Sequence, residues 1–354
     1  MKQLHNSDLV HFGSDNYAGA HPEVLDALSM ASGGHVPGYG DDPYTERLRE
    51  WARETFGADA LIFPVFNGTG ANVVSLAALN PRWGHVIAAP SAHINTDETA
   101  APESTIGIKV KPAPAVNGKL TPETVADALS CRDFVHEAQT TSVSVSNSTE
   151  LGTVYQVEEF RAIAEAAHTS GLSVHLDGAR LACAAAATGA DLEELTRGAD
   201  VISLGATKNG ALGAEAVVVR NPEAVSGIQY LNKSLLQLPS KARFVSAQLL
   251  ALFDGDLWLR NAEHANAQAA KLATGLIEAG FSVPVQTQAN AVIASIEPEL
   301  VERVLSQGVI FYAWPFVENG IRLMTAWDTP DSAIDQLIST FVAARDELTQ
   351  HSKG

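Results

Sequence analysis

The sequence predicts an α/β protein in which a large domain on a mainly parallel sheet precedes a smaller α+β domain. Three observations carry this. Apolar, strand-like runs alternate with helical patterns from about Ala60 to Arg220, the rhythm of repeated strand–helix–strand units. Two of those runs, ending near Asp177 and Lys208, stop abruptly at polar residues and glycine, as buried parallel strands do. A long helical pattern from about Ser240 to Ala279 then leads into a region of different texture, 281–349, with short strands and a closing helix. We expect a large domain with the N-terminal segment over 1–245, and a smaller α+β domain over 246–354, joined by the long helix.

Residues 11–20 form a polar, glycine-punctuated opening in which Ser14 and Asp15 are adjacent. Pro22 starts a helix to Ala31 with Val24, Leu25 and Leu28 on one face. The stretch 33–44 is too rich in Gly, Pro and Asp for regular structure. Its Tyr39 and Tyr44 make it a candidate for a site or a subunit contact, although a plain connector has the same composition. A helix is expected over 45–56 and a strand over 60–64. The turn Phe66-Asn67-Gly68-Thr69-Gly70 then leads into an apolar helix over 73–79. Such a turn offers backbone N–H groups at Gly68 and Thr69, a hydroxyl, and the positive end of a helix dipole, which suits a phosphate. Ordinary helix starts use the same residues, and neither a Walker lysine nor a full dinucleotide fingerprint is present.

The run His85–Ala89 is expected to be a strand, and His93 lies just past its end with Asp97 and Glu98 behind it. A flat imidazole there is either an ordinary loop residue or one that stacks on an aromatic cofactor and moves protons. Further strands are expected over 106–111 and 141–146, with helices from Thr121 to about Leu129 and from Val157 to Thr169. The strand from Ser173 delivers Asp177, and the one from Val201 leads to Lys208, about thirty residues on, the length of one βαβ unit. His175 shares a face with Asp177 and is expected to be its supporting neighbour. In an open α/β sheet both strand ends reach the carboxyl edge, where ligands bind.

The chemistry that uses such a lysine and carboxylate is that of pyridoxal phosphate. The amine forms a Schiff base, and the acid keeps a proton on the pyridine nitrogen. On these two residues alone, a surface lysine and a helix-capping aspartate explain the pattern equally well. The reading therefore turns on a phosphate cup, a stacking ring and a carboxylate clamp elsewhere. Beyond Lys208, a returning strand is expected over 214–220, and residues 231–245 carry Lys233, Lys241 and Arg243 in a chain poor in base. Strands follow over 291–296, 309–312 and 321–326, then a helix from Asp331 to Leu348. Arg322 lies between Ile321 and Leu323, where a guanidinium is costly without an anion. That anion is either a structural acid or a substrate carboxylate held bidentately.

A hydrophobic content of 46% with 18% charge describes a packed globular chain and excludes a disordered one. The formal charge of −18 argues against nucleic-acid or anionic-membrane partners, because phosphates would be repelled. Cys131 and Cys183 supply no disulfide framework and suit a reducing compartment. The N-terminus has no apolar leader and no run approaches membrane-spanning length, so a cytoplasmic protein is expected.

Taken together, Ser14-Asp15-Asn16, Tyr39-Gly40-Asp41-Asp42, Asn67-Gly68-Thr69, His93, Gly152-Thr153-Val154-Tyr155, His175-Leu176-Asp177-Gly178-Ala179-Arg180, Gly205-Ala206-Thr207-Lys208-Asn209-Gly210 and Arg322-Leu323 resemble a known family. They are similar to the threonine aldolases of the β-eliminating-lyase superfamily, in the aspartate-aminotransferase fold type, and most of all to the bacterial low-specificity branch. The resemblance implies a pyridoxal-phosphate enzyme that cleaves β-hydroxy-α-amino acids such as threonine, allo-threonine and phenylserine to glycine and an aldehyde. It implies that Lys208 attaches the cofactor, that Asp177 pairs with the ring nitrogen, and that His93 lies against the ring. Gly68 and Thr69 would surround the phosphate, with Arg180 and Thr207 also at the cofactor. Ser14, Arg180 and Arg322 would hold the substrate carboxylate. Arg243 matches a basic residue that in the family approaches the cofactor from a neighbouring subunit, which implies a homo-oligomer, dimer or tetramer, with shared sites. No metal is implied. Many members carry a histidine near Asn147-Ser148-Thr149 that can touch the β-hydroxyl. None stands there in this chain, which leaves His93, or a water it orients, to take that proton. The alternatives are β-elimination or transamination on the same scaffold, or a non-catalytic small-molecule-binding protein.

Overall fold

The computed structural model describes residues 3–129 and 133–351. Cys131 lies outside the described residues. Seven strands form the main sheet: β1 (Leu61–Val65), β2 (Gly84–Ala88), β3 (Lys109–Pro112), β4 (Gln139–Ser146), β5 (Ser173–Gly178), β6 (Val201–Gly205) and β7 (Glu215–Val219). Their order is β1-β7-β6-β5-β4-β2-β3, and only β7 runs antiparallel to its neighbours. The mainly parallel expectation therefore holds. β6 and β7 are buried along their whole length, which is why Val-Ile-Ser-Leu-Gly and Glu-Ala-Val-Val-Val show no polar alternation.

Register sets the chemistry at the carboxyl edge. Asp177 pairs across with Ser146 on β4 and with Ser203 on β6, so three polar side chains stand abreast on adjacent strands. Lys208 follows β6 in a 3₁₀ turn, Thr207–Asn209, closed by Gly210 at φ +106°, a conformation that disfavours a side chain. Gly205 is equally constrained, since a Cβ there would meet the Ala179 carbonyl oxygen at 2.4 Å.

A second, antiparallel sheet has the order β8-β10-β9, with β8 (Ala291–Ser295), β9 (Tyr312–Ala313) and β10 (Gly320–Met324). Each sheet has its own apolar core. The larger includes Leu176, Ile202 and Leu249, and the smaller gathers Leu272, Phe311, Leu323 and Phe341 together with Phe12 from the N-terminal segment. The helix Leu257–Glu278 contributes Leu257 and Ala262 to the first and Ala269, Leu272 and Leu276 to the second.

Three expected elements differ. The helical pattern 240–279 is two helices, Ala242–Phe253 and Leu257–Glu278, parted at Asp254-Gly255-Asp256, where glycine breaks a run whose apolar spacing continues. The strand expected over 106–111 begins only at Lys109, after a π-helical turn over Pro102–Ile106. The strand expected over 309–312 shortens to Tyr312–Ala313. No helix among the described residues is long and apolar enough to cross a membrane.

Candidate active site

The carboxyl edge of the parallel strands opens into a cavity of about 950 Å³, faced from the second sheet by Tyr312, Trp314 and Arg322. Nine of the ten residues singled out in the sequence line it: Ser14, Gly68, Thr69, His93, Asp177, Arg180, Thr207, Lys208 and Arg322. Arg243 does not. It lies at the start of Ala242–Phe253 and donates to the Gly34 carbonyl at 3.5 Å.

At one end of the cavity the helix Gly68–Leu79 begins. Asn67 caps it, accepting from the Gly70 N–H at 2.7 Å, while the N–H groups of Gly68 and Thr69 precede the first intrahelical bond. Gln237 packs here too: a Cβ on Gly70 would fall 2.3 Å from its side chain, and its Oε1 accepts from the Phe66 N–H at 3.1 Å. Thr207 is held against Glu215, whose carboxylate accepts the Thr207 and Ala206 N–H groups at 3.2 Å.

Asp177 accepts from the Ala179 N–H at 3.0 Å, the contact expected of a local cap, and from Asn72 Nδ2 at 3.3 Å. His175 is not its hydrogen-bonded neighbour. The ring bridges Ser144 Oγ and Ser203 Oγ, each at 2.9 Å, inside a fully buried setting that pulls its pKa down to about 4 and keeps it neutral. The strand alternation placed it correctly, but two flanking serines satisfied both nitrogens.

The Lys208 amine has its pKa lowered, first by burial and then by the Arg180 charge, against the pull of Asp15, Asp177 and Glu215. Arg180 is committed to Asp15, with Nε and Nη2 donating to the two carboxylate oxygens at 2.7 and 2.9 Å. Burial opposes ionisation of Asp15, but Arg180 and Lys208 outweigh it and hold the carboxyl below its usual range. Arg322 is different. It lies 4.3 Å from the centre of the Trp314 ring, and its buried Nε has no acceptor among the described residues. Burial, then Arg180, pulls its pKa down to about 10, so it remains a cation at neutral pH.

His93 is held at both ends. Its Nδ1 lies 2.8 Å from Glu98 Oε1, and its backbone N–H donates to Glu150 Oε1 at 3.0 Å. Burial of Glu150, with Asp177 nearby, raises its pKa. Tyr17 and Tyr312 touch through their hydroxyls at the cavity rim.

The beta-eliminating lyase family model matches residues 11–298. The chain belongs to the β-eliminating lyase family. Within it, the chain is 37% identical over 330 residues to the low specificity L-threonine aldolase of Pseudomonas aeruginosa, covering 92% of this chain and 95% of that one. It is 28% identical over 328 residues to the low specificity L-threonine aldolase of Escherichia coli K12, covering 90% and 94%. Among solved structures, the Leishmania major threonine aldolase superposes with a TM-score of 0.88 at 28% identity, covering 93% of this chain and 98% of that one. Aspartate aminotransferase of Thermus thermophilus superposes at 0.67 with 16% identity over 92% and 89%, a likeness of fold alone. The expected fold type is therefore the observed one.

Sequence reasoning missed Asn72, Glu98, Glu150, Glu215 and the Asp15–Arg180 pair. Asp15 had a signal, since it adjoins Ser14 in a polar opening, but its partner lies 165 residues away. Glu150 follows the end of β4 by four residues and Glu98 closes the His93 segment, so neither stands on a strand as Asp177 does.

Proposed function

We propose that this protein is a pyridoxal-phosphate-dependent aldehyde-lyase that cleaves β-hydroxy-α-amino acids, threonine among them, to glycine and an aldehyde. The observation that carries the reading is Arg322, a partly buried guanidinium whose Nε has no hydrogen-bond partner among the described residues, facing the same cavity as Lys208 and Asp177 in a chain of this family. A family whose named relatives act on threonine supplies the substrate class.

The residues present fit the cofactor. The Gly68 and Thr69 N–H groups and the Thr69 hydroxyl would hold its phosphate at a helix N-terminus. Lys208, whose lowered pKa favours the nucleophilic amine, would hold it covalently, and Asp177 would keep the ring nitrogen protonated. When bound, pyridoxal phosphate supplies the electron sink for the pair left on Cα. Arg322, with Ser14 nearby, would clamp the substrate carboxylate and so fix which bond at Cα stands in line for cleavage. Arg180, held in place by Asp15, would act at the cofactor and beside Arg322 at the substrate carboxylate. His93 would take the β-hydroxyl proton, the role for which this chain has no histidine near Asn147–Thr149.

We further propose a division into a cofactor-binding unit over 1–245 and a smaller unit over 246–354; two apolar cores support two units, with Leu249, Leu257 and Ala262 packing back into the first and Phe12 into the second. The enzyme is proposed to be cytoplasmic and homo-oligomeric. Exposed Tyr39, with Lys233 over its ring, and exposed Tyr230 and Leu236 support a subunit contact. Sedimentation showing a fully active monomer would contradict shared sites. The reading itself is tested by assaying purified protein with added pyridoxal phosphate against threonine, allo-threonine and phenylserine. Glycine release from at least one is expected, and release from none would refute it.

A further inference from the structure

His93 is surrounded by groups whose arrangement decides which of its nitrogens can accept a proton. Nδ1 lies 2.8 Å from Glu98 Oε1, and the Glu98 side chain is fully buried while the imidazole stays 38% exposed on the cavity side. The same Glu98 oxygen accepts a hydrogen bond from Asn72 Nδ2 at 2.7 Å, and that amide also donates to Asp177 Oδ2 at 3.3 Å. An amide N–H₂ can only donate, so the Glu98 oxygen it meets is an acceptor. An acceptor 2.8 Å from Nδ1 requires the hydrogen of that contact to sit on Nδ1. A neutral ring then carries its lone pair on Nε2. The backbone N–H, tied to Glu150 Oε1 at 3.0 Å, fixes the main chain from which the ring projects.

We infer that Glu98, itself oriented by Asn72, is a positioning residue that fixes His93 as the Nδ1–H tautomer and makes Nε2 the atom that receives the substrate's β-hydroxyl proton. Its second half rests on the proposed function, whereas the tautomer does not. In the step, the proton passes from the β-oxygen to Nε2 and the β-carbon becomes a carbonyl carbon. The electron pair of the broken Cα–Cβ bond stays on the Cα side, to be met later by a proton as glycine forms. The charged groups facing the ring are Glu98 and Asp177, which favour its protonation, and Lys208, which opposes it. Burial also opposes it, yet the Glu98 hydrogen bond prevails and the ring pKa is raised. Asn72 links the carboxylate beside His93 to the one proposed for the ring nitrogen, so the two acids share one donor.

The test is ¹⁵N NMR of histidine-labelled protein, with and without pyridoxal phosphate, above the pH at which the ring titrates. His93→Gln assigns the signal. Wild type should show hydrogen on Nδ1 and a bare Nε2, and Glu98→Leu, which removes the acceptor, should lose that preference. Glu98→Gln keeps an acceptor oxygen without its charge. It should keep the tautomer, lower the pH at which the ring titrates, and move the acid limb of kcat/KM the same way, while Glu98→Asp restores both. Hydrogen on Nε2 in wild type, or an Nδ1–H ring retained in Glu98→Leu, would overturn the inference. If Glu98→Leu does not fold, an unchanged titration in Glu98→Gln overturns it instead. Glycine release at the wild-type rate by His93→Gln would overturn the role of Nε2 as proton acceptor, whatever the tautomer.

Discussion

Replacing Arg322 with alanine separates substrate recognition from cofactor binding. The guanidinium stacks 4.3 Å from the Trp314 ring centre, its Nε has no acceptor among the described residues, and its pKa is drawn down to about 10 by burial and Arg180. A substrate carboxylate would supply the missing anion in a partly dry site, and truncating one side of such a pair costs roughly 2–5 kcal/mol. At ~1.4 kcal/mol per factor of ten, kcat/KM should fall about 30- to 4,000-fold, with KM raised. Stability should change little. The lost contact with Trp314 is worth about 0.5–1 kcal/mol, and removing a half-buried cation offsets part of it. Arg322→Lys should recover only part of the activity, because an ammonium cannot make the two-pronged contact. The cofactor absorption band should be unaltered. Steady-state glycine release and Tm, measured on one preparation, decide the matter. A stable protein with unchanged KM and kcat would refute the clamp, and a fall in Tm with normal kinetics would make Arg322 purely structural.

Lys208→Ala should keep the fold but lose nearly all turnover, and borohydride reduction of the wild type followed by peptide mapping should find the cofactor on Lys208, not on another lysine. Asp177→Asn should still bind cofactor yet lose most of kcat, since an amide partner does not hold a proton on the ring nitrogen; near-wild-type kcat would reduce Asp177 to a cap for Ala179. Glu150 has a pKa raised above its ordinary 4.5 by burial and Asp177. Such an acid favours the folded state most below that ordinary value, and this contribution is lost as pH rises through the raised one. Thermal melts of cofactor-free protein between about pH 5 and pH 8 should therefore show Glu150→Gln gaining on wild type as pH rises. A pH-independent difference would contradict the shift.

The parts of the fold legible in the sequence were those governed by local pattern. The apolar runs ending at Asp177 and before Lys208 are adjacent parallel strands because their polar interruptions, His175 and Ser203, are single and bond to each other, and Gly210 fixes the turn after Lys208. The Asn67–Gly70 helix start and the lone guanidinium of Arg322 were legible because each leaves backbone donors or a charge without a local partner. What escaped depends on distant approach. The pairing of Arg180 with Asp15, brought across by the N-terminal segment, was not visible, although both residues stood in the matched motifs. His175 was placed beside Asp177 from strand alternation, whereas its ring bonds to Ser144, its register partner on β4, and to Ser203, which stands opposite Asp177 on β6. The break at Asp254–Asp256 was hidden because helical spacing continues through it, although its glycine was in plain view. Asn72 looked like any polar residue on an apolar helix until the ends of Glu98 and Asp177 met at its amide.

The central claim is that this cavity breaks a Cα–Cβ bond. The most direct measurement is a full product balance from threonine with the purified, pyridoxal-phosphate-loaded protein. The account predicts glycine and acetaldehyde in equal amounts, without ammonia, and dependent on Lys208. Ammonia with a keto acid in place of glycine would contradict it and assign the same residues to an elimination.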